Sequence, residues 1–266
     1  MNVHRELEVS GARLRYRDEG KGRAIVLVHG WTLDLDVWEP QVPLAGELRM
    51  VRYDRRGFGL SSGDPSLVHD VSDLGAVLSA LGVASPLLVG MSQGARVVLE
   101  FAARHPSFVR GLVLDGAPPL LGDHPTDDLA LESLRRLAEQ QGLDAFRRAW
   151  SSHPLTQLVT GDARMHTLLA RILARYPGRD LLTNDALPRE AIDRALLADV
   201  RAPVLIVNGA RDTEARRRAG ALLCHALPSA EHVQIPDAAH LPNLDAPREY
   251  NQLMSGFARR HLPAAA

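Results

Sequence analysis

Residues Leu87 to Arg104 constrain this chain more than any other stretch. An apolar run, Leu87-Leu88-Val89, passes through Gly90-Met91-Ser92-Gln93-Gly94 into a helix-patterned segment with Val97, Val98 and Phe101 on one side. A strand that turns into a helix through G-x-S-x-G is the context of a nucleophile elbow. The chain reverses sharply at the serine, which takes a strained backbone conformation. Side chains two residues to either side would collide, so glycine is needed at both positions. The new helix aims its first N–H groups and positive dipole end at the same point. The pattern alone is weak, because Gly59-Leu60-Ser61-Ser62-Gly63 also matches it. That second match follows a glycine-rich turn rather than a strand, and Asp64-Pro65 stops a helix from starting at once. Ser92 is the expected nucleophile and Ser61 a loop residue.

The surroundings repeat the same rhythm. Leu14–Asp18, Ala24–Val28, Met50–Tyr53, Leu87–Val89 and Leu112–Leu114 read as strands, with helix spacing over Asp70–Leu81 and Gly94–Arg104. Ala24–Val28 is apolar throughout, as a parallel strand covered on both faces should be. The alternation predicts an α/β fold, a mostly parallel sheet with helices on both faces. It stops near Leu120. Met165, Leu168, Leu169, Ile172, Leu173 and Tyr176 form a helical stripe, and Leu131, Leu134 and Ala138 a weaker one. Pro154, Pro177 and Pro188 punctuate this segment, and no strand is evident in it. Strands resume at Val204–Val207 and His232–Ile235, and Pro247–Arg260 closes the chain as a helix with Tyr250, Leu253 and Phe257 inward. The reading is a core of residues 1–119 and 201–266 interrupted by a helical cap at 120–200.

A nucleophilic serine needs a base, and the base an orienting acid. His240 lies in Pro236-Asp237-Ala238-Ala239-His240, between the last strand and the last helix, where small residues let an imidazole reach the sheet's C-terminal edge. Asp212 follows the strand Val204–Val207 through Asn208-Gly209-Ala210-Arg211, at the same edge. Ser92, Asp212 and His240 run in the chain order of a nucleophile-elbow fold. Asp115, directly after strand Leu112–Leu114, competes with Asp212 for the role of acid. An oxyanion needs preorganised donors, expected from the backbone N–H groups of Gln93 and of Trp31, the latter in the turn His29-Gly30-Trp31. His29 is read as structural, and most of the remaining histidines (69, 105, 124, 153, 166, 225, 232 and 261) as solvated or surface residues.

Composition removes other classes. A net charge of −1 over 266 residues gives no basic field for nucleic acid or an anionic membrane surface. The single cysteine, Cys224, excludes an internal disulfide framework and a thiolate zinc cage. The only lysine, Lys21, sits in a turn-like EGKGR stretch, which fits neither a P-loop nor a pyridoxal-phosphate enzyme. Gly57-x-Gly59 has neither the spacing nor the following helix of a dinucleotide site. No metal or organic cofactor is expected. No run approaches a membrane span, and MNVHRELEVSG lacks the apolar core of a secretory signal, so a soluble cytoplasmic protein is the default.

Together, His29-Gly30, Asp54-x-Arg56-Gly57-x-Gly59-x-Ser61, Gly90-x-Ser92-x-Gly94, Gly209-x-x-Asp212 and Asp237-Ala238-Ala239-His240 resemble the α/β-hydrolase superfamily, in family order along nearly the whole chain outside the insertion. The segment AAHLPNLDAP is similar to the 3-oxoadipate enol-lactonase and small carboxylesterase branch. The resemblance implies an eight-stranded sheet, a helical cap after strand six, and a triad of Ser92, His240 and Asp212 with Trp31 and Gln93 as oxyanion donors. One departure is Thr213-Glu214-Ala215-Arg216-Arg217, where the family often has a hydrophobic-Pro step; it keeps Asp115 open, since some relatives place the acid after strand six. A serine at position 92 argues against haloalkane dehalogenases and epoxide hydrolases, which need a carboxylate nucleophile. The implied reaction is hydrolysis of a small carboxylic ester or lactone, with monomer or homo-oligomer left open. The alternatives are C–C bond hydrolysis, perhydrolase or haloperoxidase chemistry on the same triad, and a receptor that uses the fold only to bind a ligand.

Overall fold

The computed structural model describes residues 5–121, 130–181 and 192–262. His124 and Pro188, named above, lie outside them. Eight strands form one sheet: β1 (Arg5–Val9), β2 (Ala12–Glu19), β3 (Ala24–Val28), β4 (Arg49–Tyr53), β5 (Leu87–Met91), β6 (Gly111–Asp115), β7 (Val204–Gly209) and β8 (Ala230–Ile235). Their spatial order is β1-β2-β4-β3-β5-β6-β7-β8. β2 is antiparallel to both of its neighbours, and every pairing from β4 to β8 is parallel.

The central strands are buried along their whole length, as their continuous apolar runs predict. Each sheet face carries its own apolar core. One side collects Val71, Leu74 and Leu78 of α1 (Leu67–Ala80) with Val97, Val98 and Phe101 of α2 (Gln93–Arg104). The stripe read over Asp70–Leu81 thus faces inward, and Ser66 moves the helix start upstream by accepting from the His69 N–H.

Between β6 and β7 the chain forms α3 (Leu131–Gln141), α4 (Leu143–Ser151), α5 (Ala163–Arg175) and α6 (Arg194–Leu197), with no strand among the described residues there. The predicted stripe on α5 buries Leu168, Leu169, Ile172 and Leu173. These residues join the second core with Trp31, Trp38 and Tyr250. After β7 come α7 (Glu214–Ala226), α8 (Pro242–Asp245) and α9 (Pro247–His261). In α9, Tyr250 and Phe257 point inward as expected, while Met254 takes the deep position and Leu253 is half-buried.

Parallel pairing fixes where chemistry can assemble. Val28 pairs with Gly90, Met91 with Asp115, Asp115 with Val207, and Gly209 with Ile235. The residues following β3, β5, β6, β7 and β8 therefore emerge side by side at one edge of the sheet.

Candidate active site

Ser92 has φ 50° and ψ −117°, a left-handed backbone that a non-glycine residue adopts only under constraint. The constraints are specific. The Ser92 N–H donates to the Asp115 carbonyl at 2.7 Å. A Cβ on Gly90 would lie 2.3 Å from the Gly94 oxygen, and one on Gly94 would lie 2.3 Å from the Val28 oxygen. Both glycines of the motif are sterically required. In the competing motif, the Ser61 hydroxyl accepts from the Arg15 N–H and donates to the Asp54 carbonyl, so it is committed to holding its turn.

His240 and Asp212 meet across the same edge. The ring Nδ1 lies 3.0 and 3.2 Å from the two carboxylate oxygens, and both side chains are buried. With the Nδ1 proton donated to Asp212, Nε2 is left as the basic atom. Burial alone would raise the Asp212 carboxyl. His240, Arg216 and the Thr213 N–H outweigh it and hold the group below its ordinary value. Gly116 packs against the imidazole, its missing Cβ falling 2.8 Å from Cε1. Gly116 follows the residue whose carbonyl holds Ser92, so the ring and the serine share one support.

Asp115 is the rival acid, and the geometry separates the two. Among the described residues, neither of its oxygens completes a well-directed hydrogen bond. Burial drives its carboxyl well above the ordinary range, and nothing opposes this strongly beyond the nearby Tyr250 hydroxyl. His240 is oriented by Asp212.

The turn after β3 lies against the serine, with the missing Gly30 Cβ 3.1 Å from the Ser92 Cβ. Among the described residues, the backbone N–H groups of Trp31 and Gln93 donate to no protein acceptor. His29 is structural, as read from sequence. Its Nδ1 faces the Gly30 carbonyl at 2.8 Å and its Nε2 accepts from the Arg55 N–H at 2.9 Å, which fixes a neutral tautomer. Burial, then the Arg55 charge, pushes its pKa well down. Arg55 was not singled out in the sequence. Its buried guanidinium pairs with Asp70 at 2.6 Å and donates to the Gln93 side chain at 2.8 Å.

The segment between β6 and β7 covers this turn with aromatic rings. Trp31 packs edge-on against Phe146, Trp150 and Tyr176, and Phe58 stacks on Tyr176. The Trp150 indole donates to the Thr32 hydroxyl at 2.7 Å. Asp180, also unmarked in the sequence, accepts from both the Trp31 indole and the Tyr176 hydroxyl. In the same segment Arg171 is exposed, whereas Arg135 and Arg147 donate to the Leu181 and Tyr176 carbonyls. His232 departs from the surface reading: it is half-buried on β8 and bonded to the Asn208 side chain. Among the described residues, no group of three or more His, Cys, Asp or Glu side chains is arranged to hold a metal ion, and no helix is long and apolar enough to cross a membrane.

With this geometry in place, comparison with known proteins is informative. The family profile described as the alpha/beta hydrolase fold matches residues 23–247. A pimeloyl-[acyl-carrier protein] methyl ester esterase from Yersinia enterocolitica is 28% identical over 242 residues, covering 89% of this chain and 93% of its own. The esterase RhEst1 from Rhodococcus sp. ECU1013 superposes with a TM-score of 0.80 at 26% identity, covering 97% of this chain and 99% of the other. The enol-lactonase from Burkholderia xenovorans LB400 superposes with a TM-score of 0.82 at 24% identity, covering 96% and 100%.

Proposed function

The chain belongs to the α/β-hydrolase family, and from that premise we propose that it is a serine hydrolase that cleaves a small carboxylic ester or lactone through an acyl-enzyme. The observation that carries the reading is the strained Ser92 elbow sharing its Asp115–Gly116 support with the buried His240–Asp212 pair. His240 Nε2 takes the Ser92 proton as Oγ attacks the substrate carbonyl. The negative oxygen that develops is met by the Trp31 and Gln93 N–H groups, which stand ready because no acceptor among the described residues occupies them. His240 then protonates the departing alkoxide. Water, deprotonated by His240, releases the acid and restores the serine. Asp212 stays ionised throughout, holding the ring in the Nδ1–H tautomer and stabilising its charged form.

Esters rank first because the pimeloyl-[acyl-carrier protein] methyl ester esterase and RhEst1, each similar to this chain along most of its length, carry esterase names. Residues 120–200 act as the cap in this reading, and their aromatic face over Trp31 shapes the acyl pocket.

The test compares wild-type and Ser92→Ala protein on p-nitrophenyl acetate, butyrate and octanoate, with intact mass recorded after a fluorophosphonate probe. Turnover and a single adduct, both lost in the variant, are expected. Labelling without turnover on any ester would move the assignment to another bond. Neither signal in the wild type would overturn the hydrolase reading.

A further inference from the structure

The turn that carries Trp31 does not hold its own shape. Thr32, the next residue, has φ 61°, a conformation that a β-branched residue resists. Strain of this kind persists only when neighbours over-determine it. The neighbours come from the segment between β6 and β7. Trp150 donates to the Thr32 hydroxyl. Arg175 pairs with Asp34 at 2.7 Å and with Asp36 at 2.8 Å. Asp180, 1% exposed, accepts from the Trp31 indole with one oxygen and from the Tyr176 hydroxyl with the other.

Of these contacts, only that of Asp180 reaches the residue whose N–H meets the oxyanion in the proposed reaction. We propose that Asp180 is a positioning residue for the oxyanion turn, fixing the Trp31 backbone by gripping its indole from the cap side. The inference rests on the hydrolase reading above. Asp180 suits the task because a carboxyl group accepts from two donors at once without offering one of its own when ionised. The Trp31 ring is clasped edge-on by Phe146, Trp150 and Tyr176, so a displaced indole drags its backbone rather than rotating freely. A donor misplaced by a fraction of an ångström serves the transition state badly while leaving ground-state binding nearly untouched.

The decisive variant is Asp180→Asn, whose amide accepts from one donor and turns its NH2 toward the other. Sites are counted by end-point fluorophosphonate labelling, so any misfolded fraction drops out. Per labelled site, kcat on p-nitrophenyl butyrate is expected to fall about 10- to 100-fold, with KM changed by less than about threefold. Inhibition by an alkyl trifluoromethyl ketone, whose adduct carries the oxyanion, should weaken by the same factor as kcat/KM. Should Asp180→Asn fail to fold, Trp31→Phe carries the test, since it deletes the indole donor and keeps the backbone N–H; the same kcat loss at constant KM is expected. An unchanged kcat per labelled site, or a loss expressed in KM alone, overturns the assignment. A wild-type protein that neither labels nor turns over removes the hydrolase reading itself, a result distinct from an active Asp180→Asn enzyme.

Discussion

Asp115 ends β6 and Asp212 lies three residues beyond the neighbouring β7; both are buried, and they are perturbed in opposite directions. The difference is one of partners: Asp212 has His240, Arg216 and a backbone N–H, whereas Asp115 has burial and little else. Asp212→Asn is therefore expected to lower kcat about 10³- to 10⁴-fold by releasing the imidazole tautomer. Asp115→Asn, replacing a carboxyl whose charged form burial disfavours, should stay within about tenfold; steady-state kinetics on one ester decides it. His29 carries a second prediction. Its ring is neutral in the fold because Nε2 must accept from the Arg55 N–H, and its pKa lies well below the ordinary 6.5. Below about pH 6.5 the unfolded chain takes up a proton that the native chain refuses, so stability drops as the pH is lowered, by at most about 1.4 kcal/mol per unit. Urea unfolding between pH 7.5 and 5.5 should show this slope in wild type and a shallower one in His29→Gln, the other groups being common to both. That Ser92, His240 and Asp212 come to one edge of the sheet is legible in the sequence, because each follows an apolar strand run. Asp180 was not, because nothing local announces that it meets Trp31 from 149 residues away.

The elements that were easiest to read are those whose apolar pattern answers to one environment. The four central buried strands, α2 and the α5 stripe are of this kind. β1 was missed because RELEV is an edge strand paired only to β2, and charged residues alternate along it as an exposed edge demands. The 3-10 run Leu35–Gly46 offers no regular period to read, since Pro40 and Pro43 interrupt it. The departure at Thr213 turns out to be a helix start. Thr213 caps α7 by accepting from the Arg216 N–H, and its own N–H donates to Asp212 at 2.7 Å. In place of a hydrophobic-Pro step, the Asp212 carboxylate accepts from the N–H of the residue that caps a helix. Thr213→Ala should cost about 1 kcal/mol of stability through the lost cap. It should leave kcat within about threefold, because the backbone donor to Asp212 survives. Urea midpoints and one kinetic measurement separate the two effects.

At the scale of the whole molecule, sequence reading gives the plan but not the seam. Alternating strands and helices predict the sheet, and the loss of that rhythm near Leu120 predicts an inserted helical segment. What fastens the insertion to the turn after β3 is a set of long-range contacts that no periodicity encodes. The largest charged one is Arg175 at the end of α5, bonded to both Asp34 and Asp36. Asp34 is 2% exposed; burial raises its carboxyl and the Arg175 charge opposes that. Arg15 reaches Asp36 from the sheet side, so Asp36 keeps a cation if Arg175 is lost, whereas Asp34 keeps only its own backbone contact to the Asp36 N–H. Removing one partner of a buried pair costs more than the pair contributes, about 3–5 kcal/mol in full burial. The Arg175 side chain is about one-third open to solvent, which reduces this to about 1–3 kcal/mol for Arg175→Gln. If stranded charge on Asp34 is the cause, Asp34→Asn should recover much of that loss in the double variant. A double-mutant cycle in urea should then give a coupling of at least about 1 kcal/mol. Additive costs would instead mean that Arg175 stabilises the seam through its packed stem, leaving Trp150 and Asp180 to hold the turn after β3.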